Sequence, residues 1–272
     1  MENWLCVTCG MQYPESEEPP SECPICLDQR QYVGYNGQQW TTLAAMKADG
    51  YHQIVKEHEP GLIGIGSEPS FAIGQRPLLV QTGEGNILWD CMAFLDDEIV
   101  STIQQHGGLK AIAISHPHYY TTMVEWAQRF DVPIYLHESD RQWVMRPSEH
   151  IVFWSGETRP LVGDTTLIRL GGHFRGGQVL HWPAGAEGRG VLLSGDIIQV
   201  VSDRNWVSFM YSYPNLIPLP AYEVARIRDT IASYRFERLY GAWFERVVAS
   251  DARNAVIRSA DRYILALEHP LT

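Results

Sequence analysis

Leu109-Lys110-Ala111-Ile112-Ala113-Ile114-Ser115-His116-Pro117-His118-Tyr119-Tyr120-Thr121 is where the reading of this chain turns. The apolar run from Leu109 to Ser115 has the make-up of a buried strand. It ends directly on two histidines spaced i and i+2, with Pro117 fixing the backbone between them. On an extended segment such residues point the same way, so His116 and His118 are placed to reach one metal ion. A lone H-x-H pair is a weak motif, and two later features strengthen it. Gly171-Gly172-His173 follows a predicted strand at Thr165–Leu170, and Ser194-Gly195-Asp196 follows another at Val191–Ser194. Each sets a metal-binding group at a strand-to-loop boundary, where α/β folds collect their chemistry.

Working outward, Pro77–Gln81 and Asn86–Asp90 read as apolar strands joined by Thr82-Gly83-Glu84-Gly85, a hairpin signal. Asp96 to His106 reads as a helix with acids in its first turn and Gly107 past its end. The pattern continues with a helix at Thr121–Phe130, a strand at Val132–His137 and a helix at Glu138–Val144. It resumes with a strand at Gln178–Trp182, helices at Tyr222–Tyr234 and Asp251–Leu267, and a short strand at Arg238–Tyr240 between them. Ahead of all these, Thr41–Lys47 is a short helical pattern in a connecting stretch. Alternating strands and helices make the class α/β or α+β, and the hairpin makes the sheets mixed.

The N-terminal segment is different in kind. Cys6-x-x-Cys9 and Cys23-x-x-Cys26 are separated by 13 residues that include the acidic, Pro-rich Pro14–Pro20. A C-x-x-C turn holds two thiolates about as far apart as two corners of a tetrahedron, and two such turns complete a four-sulfur metal site. So short and polar a segment needs a metal or disulfide staple to fold. Metal is the expectation, since no secretory signal supports two disulfides. Trp4-Leu5-Cys6-Val7-Thr8-Cys9-Gly10 and Glu22-Cys23-Pro24-Ile25-Cys26 resemble the rubredoxin-like module found at the ends of rubrerythrins. That resemblance implies iron, whereas a zinc ribbon implies zinc, and four thiolates accept either. Structural zinc is expected here. Cys91, the fifth cysteine, reads as a buried small hydrophobe.

Strand–H-x-H, then a helix, then G-H before a strand, then a strand ending in G-D resembles the ligand order of the metallo-β-lactamase superfamily, over roughly Pro77 to Leu267. The resemblance implies an αββα sandwich of two mixed sheets with metals at one edge. It divides the chain into a four-cysteine module at residues 1–35 and a metallo-β-lactamase-like domain at 36–272. It makes His116, His118 and His173 metal ligands and Asp196 the carboxylate that usually bridges two metals. Asp90 resembles the aspartate that supports the site from behind. The chain also departs from the H-x-H-x-D-H pattern. Tyr120 stands at the aspartate position, Thr121 at the fourth histidine, and Gly241-Ala242-Trp243 where a final histidine falls. A second metal would lose three of its four protein ligands. The expectation is therefore one catalytic zinc or iron on three histidines, with a position open for water.

Around that site Asp196 is expected as a fourth ligand or a general base. Tyr120 is expected as a hydrogen-bond or proton donor, or else as a ring filling the vacated space, and Trp243 as filler. Arg175 with Gly176 and Gly177 reads either as an anion-binding turn or as a plain glycine turn. Tyr211-Ser212-Tyr213-Pro214-Asn215 is where substrate-shaping aromatics are expected. Of the other histidines, His52, His58, His106, His150 and His269 read as solvated surface, and His137 and His181 as hydrogen-bonded structural groups.

Composition sets the class of partner. Among 272 residues, Lys and Arg number 21 and Asp and Glu 32, a net charge of −11, and hydrophobic residues make up 45%. That balance argues against a nucleic-acid groove or an anionic membrane as partner. No apolar run approaches the ~20 residues of a membrane span, and Met1-Glu2-Asn3-Trp4 is not the start of a leader, so a cytoplasmic protein is expected. The leading function is a metal-dependent hydrolase acting on an ester, thioester or amide-like bond of a small molecule. Two other readings are an iron-dependent oxidoreductase using the rubredoxin-like module, and a metal-binding protein that does not turn over.

Overall fold

The computed structural model describes residues 1–268; His269 lies outside the described residues. Two large mixed sheets face each other. In the first, strands His52–Glu59, Leu62–Glu68, Leu78–Thr82 and Gly85–Trp89 pair antiparallel in succession. Ala111–Ala113, Ile134–His137 and Ile151–Trp154 then add in parallel. In the second, Thr158–Pro160, Thr166–Arg169, Gln178–Trp182 and Val191–Gly195 run antiparallel. Arg238–Gly241 lies parallel to the last of these, and Val247–Val248 closes the edge.

Strict alternation of side chains assigns the layers. Leu78, Val80, Ile87, Trp89, Ala111 and Ala113 face the other sheet and meet Leu167, Leu180, Val191, Leu193 and Tyr240 there. The residues between them, Leu79, Leu88 and Ile112, point outward into a second cluster with Ile99, Ile103, Val124 and Trp126 of helices Asp97–Gln105 and Met123–Phe130. Ile168, Val179, Leu192 and Leu239 point to the opposite outside and meet helices Ala221–Ile231 and Ala252–Glu268. This is an αββα sandwich, as expected.

Several elements differ from the reading of the sequence. Strands His52–Glu59, Leu62–Glu68, Ile151–Trp154 and Thr158–Pro160 were not foreseen. The first is largely exposed, so it carries little apolar alternation. The second contains Gly64 and Gly66, which weaken a strand signal. A Cβ at Gly66 would lie 2.6 Å from the Phe244 ring, so packing demands the glycine there. The strand expected over Leu109–Ser115 is only Ala111–Ala113, and the helix expected from Thr121 starts at Met123. Pro117–Tyr119 is a 3-10 turn, as is Glu138–Trp143. His116 and His118 therefore converge across a tight turn, not along an extended segment. His58, expected on the surface, is half-buried and meets Arg76 Nη1 through Nε2 at 2.5 Å.

The four-cysteine segment packs against the outer face of the first sheet. Leu5–Cys6 pairs with Trp40–Thr41, and Leu5, Met11 and Ile25 join the same cluster as Ile99, Ile103 and Trp126. No helix among the described residues is long and apolar enough to cross a membrane. Asp90, His116 and Asp196 all leave their strands at one rim of the sandwich, and the turn carrying His173 meets them there.

Candidate metal centre

His116, His118 and His173 come together, each presenting a ring nitrogen within 4.8 Å of the others, and all three are buried. His118 Nδ1 lies 3.1 Å from His173 Nε2, and His116 Nε2 lies 3.3 Å from Asp196 Oδ1. Nitrogens bound at 2.0–2.1 Å to a tetrahedral zinc stand about 3.3 Å apart, so the His118–His173 separation is near an edge of such a tetrahedron, with Asp196 Oδ1 beside the set. His116 Nε2 and Asp196 Oδ1 are buried and make no hydrogen bond among the described residues. Buried polar atoms are nearly always satisfied. The open His116 Nε2 beside two further ring nitrogens is what a cation would complete, with Asp196 Oδ1 open to the same space, and the residues fit a metal ion.

The surrounding groups set the imidazoles for that task. His173 Nδ1 is 2.7 Å from the Tyr211 carbonyl, which accepts its N–H as a hydrogen bond and so leaves the Nε2 lone pair facing the cluster. His116 Nδ1 meets Ser115 Oγ at 3.0 Å, and the Ser115 amide donates to Asp90 Oδ1 at 2.7 Å. Asp90 thus supports the site from behind, through Ser115. Burial holds all three histidines below their ordinary pKa, His173 at about 4, so they are neutral as ligands must be. The same desolvation pushes Asp90 and Asp196 up to about 7.

Gly195 closes this support. Its φ of +56° is left-handed, and a Cβ there would lie 2.5 Å from Ser115 Oγ. Gly195→Ala is expected to push Ser115 off His116 and to weaken metal at the histidines about tenfold, as loss of a ligand's supporting partner commonly does. Competition against a chromophoric chelator measures this, with the cysteine site as internal reference.

Other expectations need correcting. Tyr120 is buried and does not line the cavity that opens onto His118, His173 and Asp196; the charge acting on its phenol is that of Asp140. The phenol facing Asp196 belongs to Tyr119, whose ring packs on His116 at 4.3 Å between centroids. The 3-10 turn swings these neighbours to different sides. Arg175 is exposed and lines a separate cleft with Glu157 and Arg169. The Gly176 amide is spent on Asp140 Oδ1 at 2.8 Å and the Gly177 amide on the Phe174 carbonyl at 3.0 Å, so neither glycine amide is free for an anion. Trp243 does line the cavity, and its Nε1 donates to the Ile73 carbonyl at 3.2 Å. Of Tyr211–Asn215, Tyr213 and Pro214 line the cavity, and the Tyr213 hydroxyl donates to the Asp196 carbonyl at 2.7 Å.

The four cysteines are buried free thiols whose sulfurs lie 3.5 Å (Cys6 to Cys26) and 3.6 Å (Cys9 to Cys23) apart. That is far beyond a disulfide bond and near the roughly 3.8 Å edge of a tetrahedral zinc–thiolate site. The Tyr13 hydroxyl donates to Cys23 Sγ and Gln38 Nε2 to Cys6 Sγ, each at 3.1 Å. Cys91 is buried as expected.

Nothing in the sequence pointed to Arg30, Gln178 or Arg76. Arg30 is buried, lies over the Phe174 ring at 3.9 Å and reaches the His173 carbonyl at 3.4 Å. Gln178 donates to the Ile114 carbonyl at 2.7 Å, and its backbone amide donates to the Ser115 carbonyl at 2.9 Å, so it ties the second sheet to the strand that delivers His116. Arg76 holds the Gly241 carbonyl at 2.6 Å, fixing the segment that leads to Trp243. Each works through tertiary contacts distant in sequence.

No protein-family model matches the chain. The uncharacterized protein YmaE of Bacillus subtilis (strain 168) is 54% identical over 272 residues, spanning 100% of this chain and 99% of that protein. The chain belongs to the YmaE family. Solved structures show which fold this family has. VMB-1 at pH 5.5 superposes with a TM-score of 0.61 at 13% identity, covering 79% of this chain and 98% of that one. The metallo-β-lactamase FIM-1 from Pseudomonas aeruginosa in its mono-zinc form gives 0.57 at 14% identity, over 78% and 96%. DIM-1 metallo-β-lactamase gives 0.58 at 15% identity, over 78% and 98%. The YmaE family therefore has the metallo-β-lactamase fold, with a four-cysteine cluster near the N-terminus.

Proposed function

We propose that this chain is a zinc-dependent hydrolase with one catalytic ion held by His116, His118 and His173, and a structural zinc held by Cys6, Cys9, Cys23 and Cys26. The substrate is a small molecule with an ester, thioester or amide-like bond. The observation that carries this reading is the buried, unpartnered pair His116 Nε2 and Asp196 Oδ1 beside His118 Nδ1 and His173 Nε2. The mono-zinc form in the name of the FIM-1 structure describes that protein; here, single-metal occupancy rests on Tyr120 and Thr121 replacing two ligands. Free, buried cysteines suit a reducing compartment and support a cytoplasmic location.

A bound zinc ion would bring the pKa of a coordinated water to about 7 and polarise the carbonyl under attack. The chain does the rest. Asp196 is the general base: its free Oδ1 accepts the proton of the attacking water. The Tyr119 phenol, held neutral because burial pushes it above its ordinary pKa, lies beside that carboxylate. Tyr213 fixes the Asp196 backbone through its hydroxyl. The cavity before these groups, about 320 Å³, admits a small acyl compound.

Elemental analysis of protein purified without added metal is the test. About two zinc ions per chain are expected, with hydrolysis of at least one member of a p-nitrophenyl ester panel. His116→Ala should fall to about one zinc and lose that hydrolysis. One zinc per chain with no activity on adding zinc back would overturn the reading. Visible absorption from iron on the cysteines would favour the oxidoreductase.

A further inference from the structure

The four-cysteine segment does more than cap the first sheet: residues Thr8, Gln31 and Tyr32 line the three-histidine cavity. We propose that this module is the substrate-recognition wall of the pocket, with Gln31 and Tyr32 gripping an uncharged acyl group; the proposal rests on the hydrolytic reading above.

The wall is built, not draped. The Asn215 side-chain amide donates to the Gln29 and Gln31 carbonyls at 3.0 Å each, and Ser212 Oγ donates to the Arg30 carbonyl at 3.0 Å. The Gln31 amide closes a turn onto the Asp28 carbonyl at 2.9 Å. These bonds fix the backbone that presents Gln31 to the cavity. Gln31 is only 6% exposed, yet its side-chain oxygen has no hydrogen-bond partner among the described residues. Gln31 lines the cavity beside the metal centre, and its buried, unpaired amide oxygen is an acceptor that an N–H or O–H of a bound molecule would satisfy. Tyr32, half exposed at the same cavity, presents a ring to the substrate's flat or apolar part.

The charge of the substrate follows from the lining. Among the described residues of the cavity there is no lysine or arginine, and Asp196 is its one carboxylate. The nearby guanidinium of Arg30 is already paired with Asp28, at 2.5 Å and 2.9 Å, and stacked on Phe174. At the wall, away from the metal position, no cationic side chain offsets a negative charge, so the wall itself favours an uncharged substrate group.

Hydroxamic acids, which bind metal through their own oxygens, serve as probes. Binding of benzohydroxamic, acetohydroxamic and 4-carboxybenzohydroxamic acid to the zinc-loaded full chain is measured by calorimetry, alongside ester kinetics and zinc content. The wild-type chain is expected to prefer benzohydroxamic acid to each of the other two by about tenfold. Tyr32→Ala should abolish the preference over acetohydroxamic acid. Gln31→Leu should weaken benzohydroxamic acid roughly fivefold to tenfold, the worth of about one hydrogen bond. Both variants should keep two zinc ions and raise KM for the best ester with kcat changed little. Preferences unchanged in both variants, or tight binding of the carboxylated probe, would overturn the wall, even if the wild-type chain hydrolyses esters. Tyr32-dependent preferences without any ester hydrolysis would retire the hydrolase and leave the wall standing.

Discussion

Serine in place of Cys23 is expected to lower the melting temperature of the whole chain by more than about 10 °C, and not merely to release one metal ion. Cys23 is fully buried, and its sulfur accepts a hydrogen bond from Tyr13 while facing Cys9. Structural zinc in small modules is worth about 10–16 kcal/mol of apparent folding free energy, comparable to the net stability of an entire domain. Here the loss would not stay local. Leu5, Met11 and Ile25 share one cluster with Ile99, Ile103 and Trp126, so a loosened module uncovers the outer face of the first sheet. Arg30 would leave the Phe174 ring and the His173 carbonyl at the same time. Thermal unfolding with and without added zinc measures this, and zinc content should fall from about two to about one per chain. Cys91→Ala is the control: that thiol is buried but belongs to no four-sulfur cluster, and its loss should cost far less. A Cys23→Ser chain that melts with the wild type would show that the module contributes nothing to the stability of the sandwich.

Much of the architecture was legible in the sequence because buried strands write their environment into it. Ala111-Ile112-Ala113 and Val191-Leu192-Leu193 are apolar on both faces, as strands covered on both sides must be. The three histidines were legible because they sit at or just past the ends of such strands, and the cysteines because paired C-x-x-C spacing is what a four-sulfur site requires. What stayed hidden depends on contacts that no local pattern encodes. The strand His52–Glu59 is an exposed edge with little alternation to detect. Tyr119 and Tyr120 are indistinguishable in sequence, and only the 3-10 turn at Pro117–Tyr119 decides which phenol meets Asp196. Arg30 lies 143 residues from the histidine whose carbonyl it reaches, with a flanking Asp28 that makes it look like a surface ion pair.

Asp196→Asn is expected to separate holding the metal from using it. The variant keeps the shape of the side chain and removes its capacity to take a proton. General-base catalysis contributes typically 10²–10⁴-fold, so kcat on the best ester should drop by about that factor. Zinc should stay near two per chain, because the three imidazoles form the mutually close donor set and Asp196 stands beside it, 3.3 Å from His116 Nε2. KM should move little, since the cavity walls from Gln31, Tyr32, Tyr213 and Trp243 are untouched. Metal analysis and steady-state kinetics on one preparation decide between the two roles of this carboxylate. A loss of kcat with full zinc makes Asp196 the base. A chain that falls to one zinc makes Asp196 the fourth ligand and removes it as the base.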